Sequence, residues 1–185
     1  VVLVVGGGAF AFTAPGGNLT LRLDTAGANP NLQLLAGATV LYSVPFAAVN
    51  AFTVNGSNTL NDSLTVDFSN GTPVPAGGVT FHGNGQAAVP PGDDLVVSGG
   101  AGFTSLRYNA TGVGAGNLVF NGTRTIFFDG IEPVTLSPPA APLTVAVHDG
   151  HPHTPAFTAG PRARTKPQTT AGAPARNIRT SSAIT

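Results

Sequence analysis

The feature that most constrains this chain is its turn rhythm. Asn-Gly recurs at Asn55-Gly56, Asn70-Gly71, Asn84-Gly85 and Asn121-Gly122. Both residue types tolerate positive φ, so each pair marks a corner or reversal. Between the corners, apolar and polar residues alternate in NLTLRLD (18–24), AFTVN (51–55), SLTVDFS (63–69), VTFHG (79–83), SLRYNAT (105–111) and NLVFNGT (117–123). A period of two puts successive side chains on opposite faces, which predicts half-buried strands. LVV (95–97) and TIFFDG (125–130) are more continuously apolar. No window keeps a helical period. The nearest, NLQLLAGATVLYSV (31–44), carries Gly and β-branched residues and predicts two strands instead.

Repetition narrows the all-β choices. LVVGGGAF (3–10) matches LVVSGGAGF (95–103) with one inserted residue. An apolar-Thr-apolar-polar pattern appears as LTLR (19–22), FTVN (52–55), LTVD (64–67) and VTFH (79–82), and partly as LTVA (143–146). A strand that recurs with the same inward and outward residues suits a stack in which each coil covers the last. The expected fold over residues 1–137 is a fragment of a right-handed parallel β-solenoid, or β-helix. Thr stands on its outer face, where the β-branch favours extended backbone. A β-sandwich of immunoglobulin type is the alternative, weakened by the lack of Cys and Trp.

Residues 138–185 read as a Pro/Ala/Thr/Arg-rich linker or disordered tail, too poor in apolar periodicity to offset its ordering entropy. Charge divides the same way. Residues 1–149 hold three Arg against all eight acidic residues, and residues 150–185 hold five basic residues and no acidic one. An acidic body with a small basic tail is not the pattern of a nucleic-acid module. With no Cys, disulfides and thiolate chemistry are out of reach. The opening run VVLVV is too short to span a bilayer, and no membrane span is expected. That run reads as an interior strand of something longer, so the chain is expected to self-associate through unpaired edges.

The stretch NDSLTVDFSNGTPVPAGGVTFHGNG (61–85), followed by GDDLVVSGG, SLRYNATGVGAGNLVFNG and FFDGIEPVTLS, resembles repeat units of very large secreted bacterial proteins. Such arrays are adhesin-like or haemagglutinin-like β-solenoids, distantly similar to RTX repeats. The resemblance covers residues 51–137 and, more loosely, 1–50. It implies an extracellular or cell-surface segment that is structural or adhesive, with cell-surface glycans or neighbouring repeats as partners.

Candidate chemistry is sparse. HGNGQAAVPPGDDLVV (82–97) keeps Gly83, Gly85, Asp93 and Asp94 of an RTX-like turn, but a Pro-rich insertion separates the glycines from the acids. Ca²⁺ takes six to eight oxygens, so Asp93 and Asp94 with carbonyls offer a weak Ca²⁺ site at most. No other cofactor is expected. Glu132 is the only Glu. A glycosidase needs two carboxylates at set separations, and only Asp67 or Asp129 could join it in space. A carbohydrate-active β-helix lyase or hydrolase needs an acid cluster with a basic group, for which Arg107 and Arg124 are the candidates. His148, His151 and His153 could hold a transition metal loosely. The expected function is therefore non-enzymatic, a stiff segment with an outer binding face. The alternatives are the β-helix enzyme fragment and a Ca²⁺-binding RTX-like module.

Overall fold

The computed structural model describes residues 8–85, 92–100, 103–137 and 143–147. These residues form an all-β structure of thirteen strands: β1 (Gly8–Thr13), β2 (Gly17–Asp24), β3 (Asn31–Ala36), β4 (Thr39–Pro45), β5 (Val49–Asn55), β6 (Asp62–Asp67), β7 (Val79–His82), β8 (Asp94–Ser98), β9 (Leu106–Gly112), β10 (Ala115–Phe120), β11 (Arg124–Asp129), β12 (Val134–Ser137) and β13 (Leu143–Val147). A single 3-10 turn, Phe46–Ala48, joins β4 to β5.

The strands form two sheets. Sheet A has the order β1-β5-β7-β11-β10-β9-β13, and sheet B the order β12-β8-β6-β2-β3-β4. Each sheet contains a parallel block, β1-β5-β7-β11 in A and β2-β6-β8-β12 in B. The chain alternates between the blocks, one strand in A and then one in B, four times.

Both sheets are mixed, which corrects the expectation of a parallel solenoid. β3 and β4 extend sheet B as an antiparallel pair, and β10 and β9 extend sheet A in the same way. The physical reason is loop length. Gly37-Ala38 and Val113-Gly114 are two-residue connections, which allow only antiparallel pairing, whereas a parallel pair needs a long crossover. The β-sandwich alternative is the one these mixed sheets leave standing. β13, in the stretch read from sequence as linker, pairs parallel with β9. The opening VVLVV run and His148, His151 and His153 lie outside the described residues.

One hydrophobic cluster is built from both sheets. In sheet B, Leu19, Leu64, Leu95 and Val134 stand in register, as do Leu21, Val66, Val97 and Leu136. In sheet A the inward rows are Phe10, Phe52, Val79, Ile126 and Phe12, Val54, Phe81, Phe128. The fully buried members of these rows contribute about 1.5–3 kcal/mol each, and Phe10, Phe12, Val134 and Leu136, which are partly buried, contribute less. Aromatic contacts close the cluster towards both hairpins. Tyr42 of β4 packs on Phe10 and Phe52 at centroid distances of 5.9 and 5.8 Å. Phe68, Phe103 and Phe120 form a triangle with sides of 4.9, 4.9 and 5.2 Å.

The recurring Thr residues face outward. Thr20, Thr65 and Thr135 share one register across sheet B with Val96, and Thr53 and Thr80 share one in sheet A. All five are partly or fully exposed.

Candidate functional site

Asp93 and Asp94 sit where the chain enters β8. Strand alternation separates them: Asp94 begins the outward series with Val96 and Ser98, while Asp93 is fully buried. Asp93 Oδ1 accepts the backbone N–H of Asp62 at 2.6 Å. Its backbone carbonyl accepts the N–H of Glu132 at 2.6 Å. It therefore ties together the starts of β6, β8 and β12, three successive strands of one parallel block. Its other carboxylate oxygen lies against Gly83, where an added Cβ would stand 2.9 Å away. Burial pushes the Asp93 carboxyl above its ordinary range; the Asp62 N–H opposes the shift, and the charges of Asp62 and Asp94 reinforce it.

Asp62 is the partner that sequence reasoning missed. It is buried, and its Oδ2 accepts the Ser57 N–H at 2.6 Å. Ser57 Oγ in turn accepts the N–H groups of Leu60 and Thr59 at 2.8 and 3.1 Å, which shapes the β5–β6 corner. The available signal was the recurrence of an acid two residues before an inward Leu, Asp62 before Leu64 and Asp93 before Leu95.

The other expected acids do not gather. Asp67 caps its own turn, accepting from the Ser69 N–H and Oγ at 2.9 and 2.6 Å. Asp129 Oδ2 lies 2.7 Å from Nδ1 of His82, a solvent-accessible pair at the ends of β11 and β7. Glu132 is exposed beside the buried Ile131. Among the described residues, no group of three or more His, Cys, Asp or Glu side chains has metal-binding spacing.

The outer face of sheet A is the broader feature. One register row runs Ala11, Thr53, Thr80, Phe127, Asn117, Asn109, Ala146 across all seven strands. Phe127 is 44 % exposed at the middle of that row. One edge of its ring rests over Gly78, where an added Cβ would come within 3.2 Å of Cε2. On its far side, Asn109 Nδ2 donates to Asn117 Oδ1 at 2.7 Å. The neighbouring row, Thr13, Asn55, His82, Asp129, brings the His82–Asp129 pair alongside. The outward position of Phe127 follows from strict alternation against the buried Ile126 and Phe128, but the apolar run TIFF conceals that alternation in the sequence.

Comparison with protein-family models, curated proteins and solved structures finds no match to this chain.

Proposed function

We propose that this chain is a non-enzymatic structural and adhesive segment of an extracellular or cell-surface repeat protein, with an outward face that binds neutral glycans weakly. The observation that supports this reading best is the sheet A row. An exposed aromatic ring lies between hydroxyl and amide side chains, with no charge in that row. An aromatic face accepts the apolar face of a sugar ring, while Thr and Asn supply directional hydrogen bonds. Such a face gains avidity when repeated along a long protein. The surface location rests on the resemblance of the turn-and-strand pattern to secreted bacterial repeats.

Affinity electrophoresis through gels containing neutral polysaccharides tests this reading. The chain is expected to be retarded by at least one polysaccharide, and Phe127→Ala is expected to abolish the retardation without unfolding the protein. Equal retardation of both proteins would reject sheet A as the binding face.

A further inference from the structure

The two ends of the structure have complementary edges. Short connections join β1 to β2 and β11 to β12, so the parallel blocks of A and B run side by side in the same order. At one end, sheet A stops at β1 while sheet B continues through β3 to β4. At the other end, sheet B stops at β12 while sheet A continues through β10 and β9 to β13. Among the described residues, the outer edges of β1 and β13 pair with no further strand.

Strand direction makes these edges compatible. β9 lies two antiparallel steps from β11, and β13 is parallel to β9. β13 therefore runs the same way as β1. A second copy translated along the sheet would add its β1 to β13 as a parallel strand, continuing sheet A without reversal.

Strand number selects this joint. Sheet A repeats after seven strands and sheet B after six. At about 4.8 Å per strand, the two repeats differ by about one strand spacing. A rigid copy has to use the longer repeat, because the shorter one would drive two sheet A strands into each other. β1 then seats on β13, and β12 and β4 face each other across the width of about one strand.

The edges carry little of the usual protection: β1 has one register irregularity, between Gly8 and Ala9 at its very start, and is regular from Ala9 to Thr13. Natural edge strands carry charge, proline or bulges that prevent strand addition. β1 reads GAFAFT and β13 reads LTVAV, with no charged residue and no proline. Leu143 of β13 is 45 % exposed.

We propose that the chain associates head to tail with a second copy of itself, β1 of one copy pairing parallel to β13 of the next. The contact is heterologous and does not close on itself, so it extends into linear assemblies. It does not depend on the glycan reading, since either could hold without the other.

Sedimentation velocity of the full chain at physiological salt tests the joint, using charges on outward positions of the two edges. Ala9 and Ala11 serve on β1, and Thr144 and Ala146 on β13. The unsubstituted chain is expected to show concentration-dependent species beyond the dimer. Lys at all four positions sets like charges across the joint and is expected to weaken association by roughly fivefold or more. Lys on β1 combined with Thr144→Glu and Ala146→Glu restores it. A symmetric β1-to-β1 contact would not be restored, because it would still oppose Lys to Lys. A strictly monomeric unsubstituted chain overturns the proposal. So does a Lys/Glu chain that associates no better than the four-Lys chain. Circular dichroism confirms folding. If the four-Lys chain is unfolded, Ala11→Lys paired with Thr144→Lys or with Thr144→Glu makes the same comparison.

Discussion

The carboxylate of Asp93 reaches across the sheet to the backbone of Asp62, accepting its N–H at 2.6 Å, although the two residues lie 31 positions apart in the chain. Both side chains are almost completely buried. A buried carboxylate loses hydration that the hydrogen bonds it gains only partly replace. The Asp93 carboxyl is accordingly held above its ordinary range, chiefly by burial.

That shift makes stability fall with rising pH. In the window between the ordinary carboxylate pKa and the raised value, the folded chain keeps a proton that the unfolded chain has released. Stability is therefore greatest below the window and is lost as pH rises through the folded pKa of Asp93. Thermal unfolding followed by circular dichroism should show this decline as pH rises from the ordinary carboxylate pKa through the raised one. Asp93→Asn keeps an acceptor for the Asp62 N–H and should flatten the decline. An unchanged slope in that variant would remove Asp93 as its source.

Gly83 should tolerate no side chain. A Cβ there would meet the Gly130 carbonyl oxygen as well as Asp93 Oδ2. Backbone cannot move aside cheaply, so Gly83→Ala is expected to cost about 2–3 kcal/mol in urea unfolding. Gly27→Ala is the control, since its nearest neighbour would be 3.8 Å away. It should stay within about 0.5 kcal/mol of the parent.

Phe127 and Phe128 are adjacent but should respond oppositely to truncation. Phe128 is buried within the core cluster, and Phe127 is largely outside it. Phe128→Ala is expected to lose about 3–5 kcal/mol. Phe127→Ala should lose under about 1 kcal/mol while removing glycan retention. Comparable losses in the two variants would contradict the alternation seen in β11.

Asn121 carries two roles at the β10–β11 turn. Its backbone is left-handed, with φ of 51°. Its Oδ1 accepts the Thr104 N–H at 2.8 Å and the Ser105 N–H at 3.3 Å, fixing the approach to β9. Asn121→Ala should cost about 1–2 kcal/mol, and Asn121→Gly should recover the backbone part only.

The all-β class and the inward and outward assignments were legible because period-two alternation records burial directly. Leu19, Leu21, Leu64 and Val66 face the core, with Thr20 and Thr65 between them facing outward. The division of 31–44 into two strands was legible as well. Strand direction was misread. The two-residue gaps at Gly37-Ala38 and Val113-Gly114 signal hairpins, but the repeated Thr motif drew attention to stacking alone. Asp62 was missed because its importance depends on a residue 31 positions away. Not every Asn-Gly pair serves as the turn residues suggested. Asn84 and Asn121 do take positive φ, whereas Gly56 is needed for close approach, with an added Cβ falling 2.5 Å from the Gly83 carbonyl oxygen.

The alternation of the chain between two sheets also governs the order in which the molecule assembles. Leu34 meets Tyr42 after eight positions of chain, but Leu21 meets Val66 only after forty-five. Closing the longer loop costs more entropy before any contact repays it. The β3–β4 and β9–β10 hairpins can therefore form early and alone. The parallel blocks must wait for distant partners, and so must the outer edges of sheet A, where Phe10 meets Phe52 after 42 positions and Leu143 meets Leu106 after 37, so a folding chain holds two finished hairpins while most of both sheets is still unpaired.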